Sequence, residues 1–168
     1  MINTRTHART GHTVYPHIKT NIITVWRATR RDKSAVRRME SSCFGWMRNL
    51  FGLWPRVGRP DTFVWVAGMN DMPVGYLIAY HHELDGRSVM YVGGVGTLPQ
   101  YRKRGVGTHL MHAVFAEYPQ VWLHVRAGNA NAIALYQNLG MQQLRRLTNF
   151  YSNGDDAIII ATSNMIPG

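Results

Sequence analysis

The chain has 168 residues, with 19 Lys and Arg against 9 Asp and Glu, giving a formal net charge of +10. That length suits one domain with its own core, and 45% hydrophobic against 17% charged residues excludes disorder throughout. A single cysteine, Cys43, excludes an internal disulfide framework and a cysteine-rich zinc module. No apolar run approaches the ~18 residues of a membrane span, and the N-terminus carries no signal-peptide core. The expectation is a basic, cytoplasmic domain with an anionic partner and no membrane association.

Residues 1–20 are polar, rich in Thr and His, and lack periodicity, so they read as a flexible basic tail before a domain over 21–165. Acid-free and carrying spaced arginines, the tail also resembles a transit peptide. Ile22, Ile23, Val25 and Trp26 predict a short strand, and 27–44 a helix containing Ala35, Val36 and Met39. Arg27, Arg30, Arg31, Lys33, Arg37 and Arg38 crowd this stretch. They read either as a solvated helix face or as a patch contacting RNA or the ribosome. Phe44-Gly45-Trp46 interrupts the helix, and 47–54 predict a second short one before Pro55.

Thr62–Met69 and Pro73–Tyr80 are strand-like and joined at Asn70-Asp71. A third strand, Ser88–Thr97, follows the turn at Asp85-Gly86, and a helix runs from Gly105 to about Glu117. Val121–Val125 predicts another strand, and Asn131–Leu139 a helix capped by Gly140. The last hairpin turns at Ser152-Asn153-Gly154 into Ala157–Ala161. This order implies an α/β (α+β) domain, a mixed sheet covered by helices.

The segment LPQYRKRGVGTHLM joins a strand to a helix. Its first helical amides have no internal partners, and with the positive end of the helix dipole they attract an anion. Arg102, Lys103 and Arg104 add charge there, and Gly105 and Gly107 permit close backbone approach. There is no GxxxxGK[ST], and the third glycine of a dinucleotide fingerprint is missing. Gly93 and Gly94, inside a strand, mark a bulge or a close backbone approach. His124 lies among apolar neighbours, where histidine is ordinarily structural. His81-His82 and His109-x-x-His112 lack matching carboxylates or thiolates nearby, so no metal site is expected.

Arg102-Lys-Arg-Gly105-Val-Gly107 resembles the R/Q-x-x-G-x-G/A motif of the GNAT superfamily of N-acetyltransferases. LHVRAGNANAIALYQNLGM is similar to that family's L-x-V-R-x-x-N-x-x-A-x-x-L-Y-x-x-x-G-F block, and the two occur in the family's order. The resemblance covers 22–161. It implies the GNAT fold: a mixed, mostly antiparallel sheet of six to seven strands, a splayed and bulged central pair, and helices on both faces. It also implies acetyl-CoA as co-substrate. The pyrophosphate would lie on Arg102, Lys103, Arg104, Gly105, Val106, Gly107 and Thr108, and the pantetheine along Val95, Gly96 and Thr97. Asn129 would tie groups together near the splay.

By the same resemblance, closest to the protein N-terminal acetyltransferases of the ribosomal-protein alanine type, His124 stands where that group carries a Glu or His general base. Tyr136 would protonate the leaving thiolate. Tyr91, in a strand similar to Y-x-x-x-L-G-x-L, would assist the base. Phe44-Gly45-Trp46 is similar to F-P-W, and Asn149-Phe150-Tyr151 to N-Y-Y, which places Phe44 and Tyr151 against the acceptor. Gly45 departs from the proline, Met141 from the usual Phe, and Thr97-Leu98 from Val-Asp. The implied reaction moves acetyl directly from acetyl-CoA to a primary amine, foremost the α-amine of a protein or peptide N-terminus. An imidazole base suits that acceptor, because an α-amine of pKa about 7.8 is roughly one-seventh neutral at pH 7. A small-molecule amine is the alternative acceptor, and an RNA- or ribosome-associated binding module the further alternative.

Overall fold

A computed structural model describes residues 13–15, 22–44, 60–84 and 86–165. The helix expected over 47–54, with Gly45 and Trp46, lies outside the described residues, as does the side chain of Phe44. The elements are β1 (Thr13–Tyr15), β2 (Ile23–Arg27), α1 (Lys33–Phe44), β3 (Thr62–Met69), β4 (Met72–Leu84), β5 (Arg87–Thr97), α2 (Val106–Glu117), β6 (Val121–Arg126), α3 (Ala130–Asn138), β7 (Gln142–Leu147) and β8 (Ala157–Ala161). Hydrogen bonding orders the strands β1-β2-β3-β4-β5-β6-β8-β7, eight among the described residues. Seven lie from Ile23 onward, as expected; β1 is added from within the stretch read as tail, pairing antiparallel with β2. β5 and β6 pair in parallel, and β6–β8 and β7–β8 antiparallel.

The chain forms two compact units, one of 1–78 with 94–113 and one of 79–93 with 114–168, so β4 and β5 run through both. In the first, alternation along β2 buries Ile23 and Val25. The helix expected from Arg27 begins only at Lys33, because Trp26 and Arg27 complete β2. Between them Thr29 opens a 3-10 turn with a capping box: its side chain accepts from Arg31 N–H, and Asp32 accepts from Thr29 N–H at 2.7 Å. Asp32 also accepts from Trp26 Nε1–H at 3.2 Å. Val36 and Met39 of α1 are buried, as are Leu110 and Met111 of α2. The β3–β4 turn has φ of 50° at Asn70 and 62° at Asp71, the pair of positive values a two-residue type I′ hairpin requires.

In the second unit Val121, Leu123 and Val125 point into the core with Met90, Val92 and Ile160. Helix α3 ends in a Schellman motif. Gly140 takes φ 79°, its N–H donates to Gln137 O, and Met141 N–H donates to Tyr136 O. Buried Met141 occupies the place where the resembling block has Phe. The edge strand β7 carries Arg145 and Arg146 and a register shift between Gln143 and Arg145, both of which discourage edge-to-edge pairing.

Candidate active site

Period-two alternation on β6 buries Val121, Leu123 and Val125, and so turns Trp122, His124 and Arg126 to the opposite face. The parallel ladder with β5 ends at Val92–Leu123. His124 is therefore the first β6 residue past it, held on its other side opposite Ile159 of β8. Four aromatic rings surround the imidazole or its partner. Tyr91 OH lies 3.3 Å from His124 Nδ1. The rings of Tyr91 and Trp122 stand steeply to it, at 71° and 69°, with centroid distances of 5.7 and 5.3 Å. Phe150 stacks flat on it at 4.6 Å and 20°. Tyr80 stacks on Tyr91 at 6.1 Å. Gly93 makes room for that stack, since a Cβ there would fall 2.5 Å from the Tyr80 ring. The close approach read from this glycine is to a side chain.

The turn between β7 and β8 delivers Phe150 and Tyr151 to this cluster, and two charged latches hold it. Asp156 accepts from Arg146 Nε–H at 2.7 Å and from Asn149 N–H at 3.0 Å, with Asn149 itself at φ 51°. Arg126 pairs with Asp155, donates to Asn153 Oδ1 at 3.0 Å, and lies over the Tyr151 ring at 4.0 Å. Burial holds the His124 imidazole below its ordinary pKa. Burial also raises the Tyr91 and Tyr151 phenols; Tyr151 and Tyr80 add to the first effect, while Arg126 opposes the second. Tyr136, almost fully buried and influenced by Tyr151, is pushed up to about 12.

Thus the structure brings His124, Tyr91 and Tyr151 together, with Tyr136 electrostatically coupled to Tyr151. Asn129 acts locally, since its side chain accepts from Ala132 N–H at 3.2 Å and caps α3. Sequence reasoning misses Trp122, Phe150, Arg126 and Asp155. Period-two alternation in VWLHVR is the signal that marks Trp122 and Arg126. Phe150 and Asp155 depend on how the turn folds back, which no local pattern encodes.

The anion-binding candidate lies in the first unit and is made mostly of backbone. Lys103 at φ 58° and Gly105 at φ 83° curl the chain into α2. The first intrahelical bond runs from His109 N–H to Gly105 O at 3.0 Å. The amides of Val106, Gly107 and Thr108 therefore precede the ladder and have no carbonyl four residues back to bond. His109 Nδ1–H also donates to Gly105 O, at 2.8 Å, and fixes the turn from within. Arg102, Lys103 and Arg104 are exposed, and Arg102 Nε–H is tethered to Thr97 O at 3.2 Å. Such a positive, amide-rich turn suits a pyrophosphate.

Gly75 is required beneath it: a Cβ there would sit 2.6 Å from Val106 Cγ1 and 3.0 Å from the Gly96 carbonyl oxygen. At Gly96 a Cβ would fall 2.6 Å from the Tyr76 ring and 3.1 Å from Cys43 Sγ. Burial raises the Cys43 thiol although Arg102 beside it pulls the other way, which disfavours a nucleophilic thiolate. Of the histidines weighed as metal ligands, His81 Nε2 bonds Ser88 Oγ at 2.8 Å and His109 bonds backbone. Among the described residues no three His, Cys, Asp or Glu converge.

Comparison with known proteins bears on this geometry. The sequence pattern of the acetyltransferase (GNAT) family matches residues 29–141, more than half of the chain. An N-alpha-acetyltransferase of Sulfurisphaera tokodaii is 35% identical over 77 residues, 42% of this chain and 46% of that protein. The [ribosomal protein bS18]-alanine N-acetyltransferase of Escherichia coli K12 is 39% identical over 71 residues, 38% of this chain and 48% of that protein. The chain thus spans about half the length of the curated relatives it matches. The crystal structure of the ribosomal-protein-S18-alanine N-acetyltransferase from Escherichia coli superposes with a TM-score of 0.71 at 26% identity, covering 87% of this chain and 96% of that one. No helix among the described residues is long and apolar enough to cross a membrane. By its matched sequence and its fold, the chain belongs to the GNAT family of acetyltransferases.

Proposed function

We propose that the protein transfers acetyl directly from acetyl-CoA to the α-amine of a protein or peptide N-terminus. The observation that carries this reading is His124, placed just past the end of the β5–β6 ladder and bonded through Nδ1 to Tyr91. Resemblance in sequence to N-alpha-acetyltransferases supports it. Acetyl-CoA supplies the activated acyl group, and Arg102, Lys103, Arg104, Gly105, Val106, Gly107 and Thr108 are the residues to hold its pyrophosphate. Val95, Gly96 and Thr97 offer backbone groups to the pantetheine, and an N–H near Val95 the donor for a developing oxyanion. Phe44 is proposed, by resemblance alone, as part of the acceptor wall, and Tyr151 as a hydroxyl for the acceptor backbone.

His124 acts as base in the tautomer whose Nδ1–H donates to the Tyr91 oxygen, which leaves the Nε2 lone pair for the amine proton, directly or through water. A pKa held below the ordinary value keeps it neutral at pH 7. This suits an α-amine, already partly neutral there, far better than a lysine of pKa about 10.4. Tyr136 takes a narrower role than protonation. A phenol at about 12 surrendering its proton to a thiolate of conjugate-acid pKa about 8.5 is uphill by roughly 5 kcal/mol. Tyr136 instead donates a hydrogen bond that stabilises the thiolate. The raised Cys43 thiol agrees with direct transfer rather than an acetyl-cysteine intermediate.

The test is a thiol-release assay with acetyl-CoA against short peptides on one side and small amines on the other. Release with peptides bearing a free N-terminus is the expected result. Release only with small amines would replace the acceptor, and none at all would remove the activity. A second partner is inferred from the charge on α1 and the turn before it. Arg30, Arg31, Arg37 and Arg38 are exposed while Asp32 is drawn into the capping turn, so the outer face is cationic. RNA, as on the ribosome, fits it. Binding of an RNA stem-loop that weakens steeply with salt, and is weaker in an Arg30→Ala, Arg37→Ala variant, is the expected outcome. Salt-independent binding or none would contradict it.

A further inference from the structure

Phe150 has no place in the chemistry above, yet its ring is stacked on the group that reading makes the base. It is 46% exposed, so burial of its own surface does not account for its position. Its neighbours do. Asn149, at φ 51°, donates its N–H to Asp156, which Arg146 also holds. Positive φ is uncommon outside glycine but tolerated by Asn, so this conformation is set by the Asp156 latch and aims the next residue. Tyr151 meets the Phe150 ring edge-on at 5.1 Å and is itself held beneath Arg126. The outcome is a ring parallel to the His124 imidazole within 20°, at 4.6 Å.

We propose that Phe150 is a positioning residue for His124: its flat face fixes the imidazole plane and shields it from water, leaving Nε2 toward the acceptor. This deepens the proposed function and rests on His124 being its base. Three constraints define one ring orientation. The Tyr91 hydroxyl takes Nδ1, the rings of Tyr91 and Trp122 stand at 71° and 69° to the imidazole, and the face of Phe150 lies parallel to it within 20°. Removing Phe150 releases rotation and admits water, while the other two constraints remain.

Several ionisable groups among the described residues lie around His124. Tyr91 on β5 bonds the imidazole, Tyr80 and His82 on β4 contact the Tyr91 ring, Tyr151 contacts Phe150, and Arg126, two residues along β6, is paired with Asp155. A stacked aromatic face favours the imidazolium, whereas exclusion of water disfavours it. Burial holds the His124 imidazole below its ordinary pKa, the direction of the second effect.

The experiment follows the His124 ring resonances by NMR titration, without substrate, in the wild type, Phe150→Ala and Phe150→Tyr, and compares acetyl transfer to a peptide by the same three proteins. The expected result is that Phe150→Ala raises the His124 pKa toward 6.5 and lowers kcat about tenfold through lost orientation. KM for acetyl-CoA and Tm stay near wild type. Phe150→Tyr, which keeps the ring, restores both pKa and kcat. An active wild type whose titration and kcat are unchanged in Phe150→Ala overturns the Phe150 inference alone, as does a Phe150→Tyr protein as impaired as Phe150→Ala. A wild type that transfers no acetyl while His124 still responds to Phe150 overturns the base assignment and the positioning role with it.

Discussion

Around His124 the geometry is made by side chains: a hydroxyl, three rings and two ion-paired latches set one imidazole. From Gly96 to Thr108 it is made by the main chain, through missing Cβ atoms, two left-handed residues and the free amides at the start of a helix. Each region is therefore vulnerable in its own way. Truncating a side chain damages the first, whereas adding a methyl group damages the second. The quantities expected to change also separate, rate in one case and cofactor affinity in the other.

The greatest loss is expected from His124→Ala. Removing a general base lowers kcat about 10²- to 10⁴-fold, with KM for acetyl-CoA unchanged in steady-state assays. Next comes Gly75→Ala, whose added carbon meets Val106 Cγ1 at 2.6 Å and the Gly96 oxygen at 3.0 Å. Overpacking of this kind costs about 1–3 kcal/mol. A lower Tm and a raised KM for acetyl-CoA with kcat nearly kept are expected; kcat falling alone would erase the contrast between the regions.

The pH profile is a gentler probe. Burial lowers the His124 pKa, so the imidazole sheds its proton at lower pH than a free one. The base-dependent limb of kcat/KM therefore rises with pH through an inflection below 6.5. For an α-amine acceptor a second rise follows near pH 8. Smallest is Asp156→Asn, which weakens the charged latch on Asn149 and Arg146. A roughly two- to threefold loss of kcat is expected, with Tm unchanged.

Local features are the ones legible in the sequence. Asn70-Asp71 announces its hairpin because both residues tolerate positive φ, and Gly140 its helix end because the C′ position favours glycine. The amide-rich loop is equally legible, since strand, basic run and Gly-x-Gly are contiguous. The start of α1 is misplaced because arginines suit a helix as well as the end of β2; the Thr29–Asp32 box is the signal that separates them. The ring set around His124 is legible only in part. Tyr91, His124 and Tyr151 come from resemblance. The stack of Phe150 and the Arg126–Asp155 latch depend on β6–β8 register and a turn closing across many residues. Gly75 escapes notice for a similar reason: the atoms it must avoid belong to β5 and α2.

The assignment of His124 as base for an α-amine can be decided with one peptide bearing a free α-amine and an internal lysine. It is incubated with acetyl-CoA and either wild type or His124→Ala, and fragment mass spectrometry locates the acetyl group. Acetylation of the α-amine by the wild type and its near-complete loss in His124→Ala are expected. Acetyl on the lysine, or an α-amine acetylated equally by both proteins, would contradict the assignment.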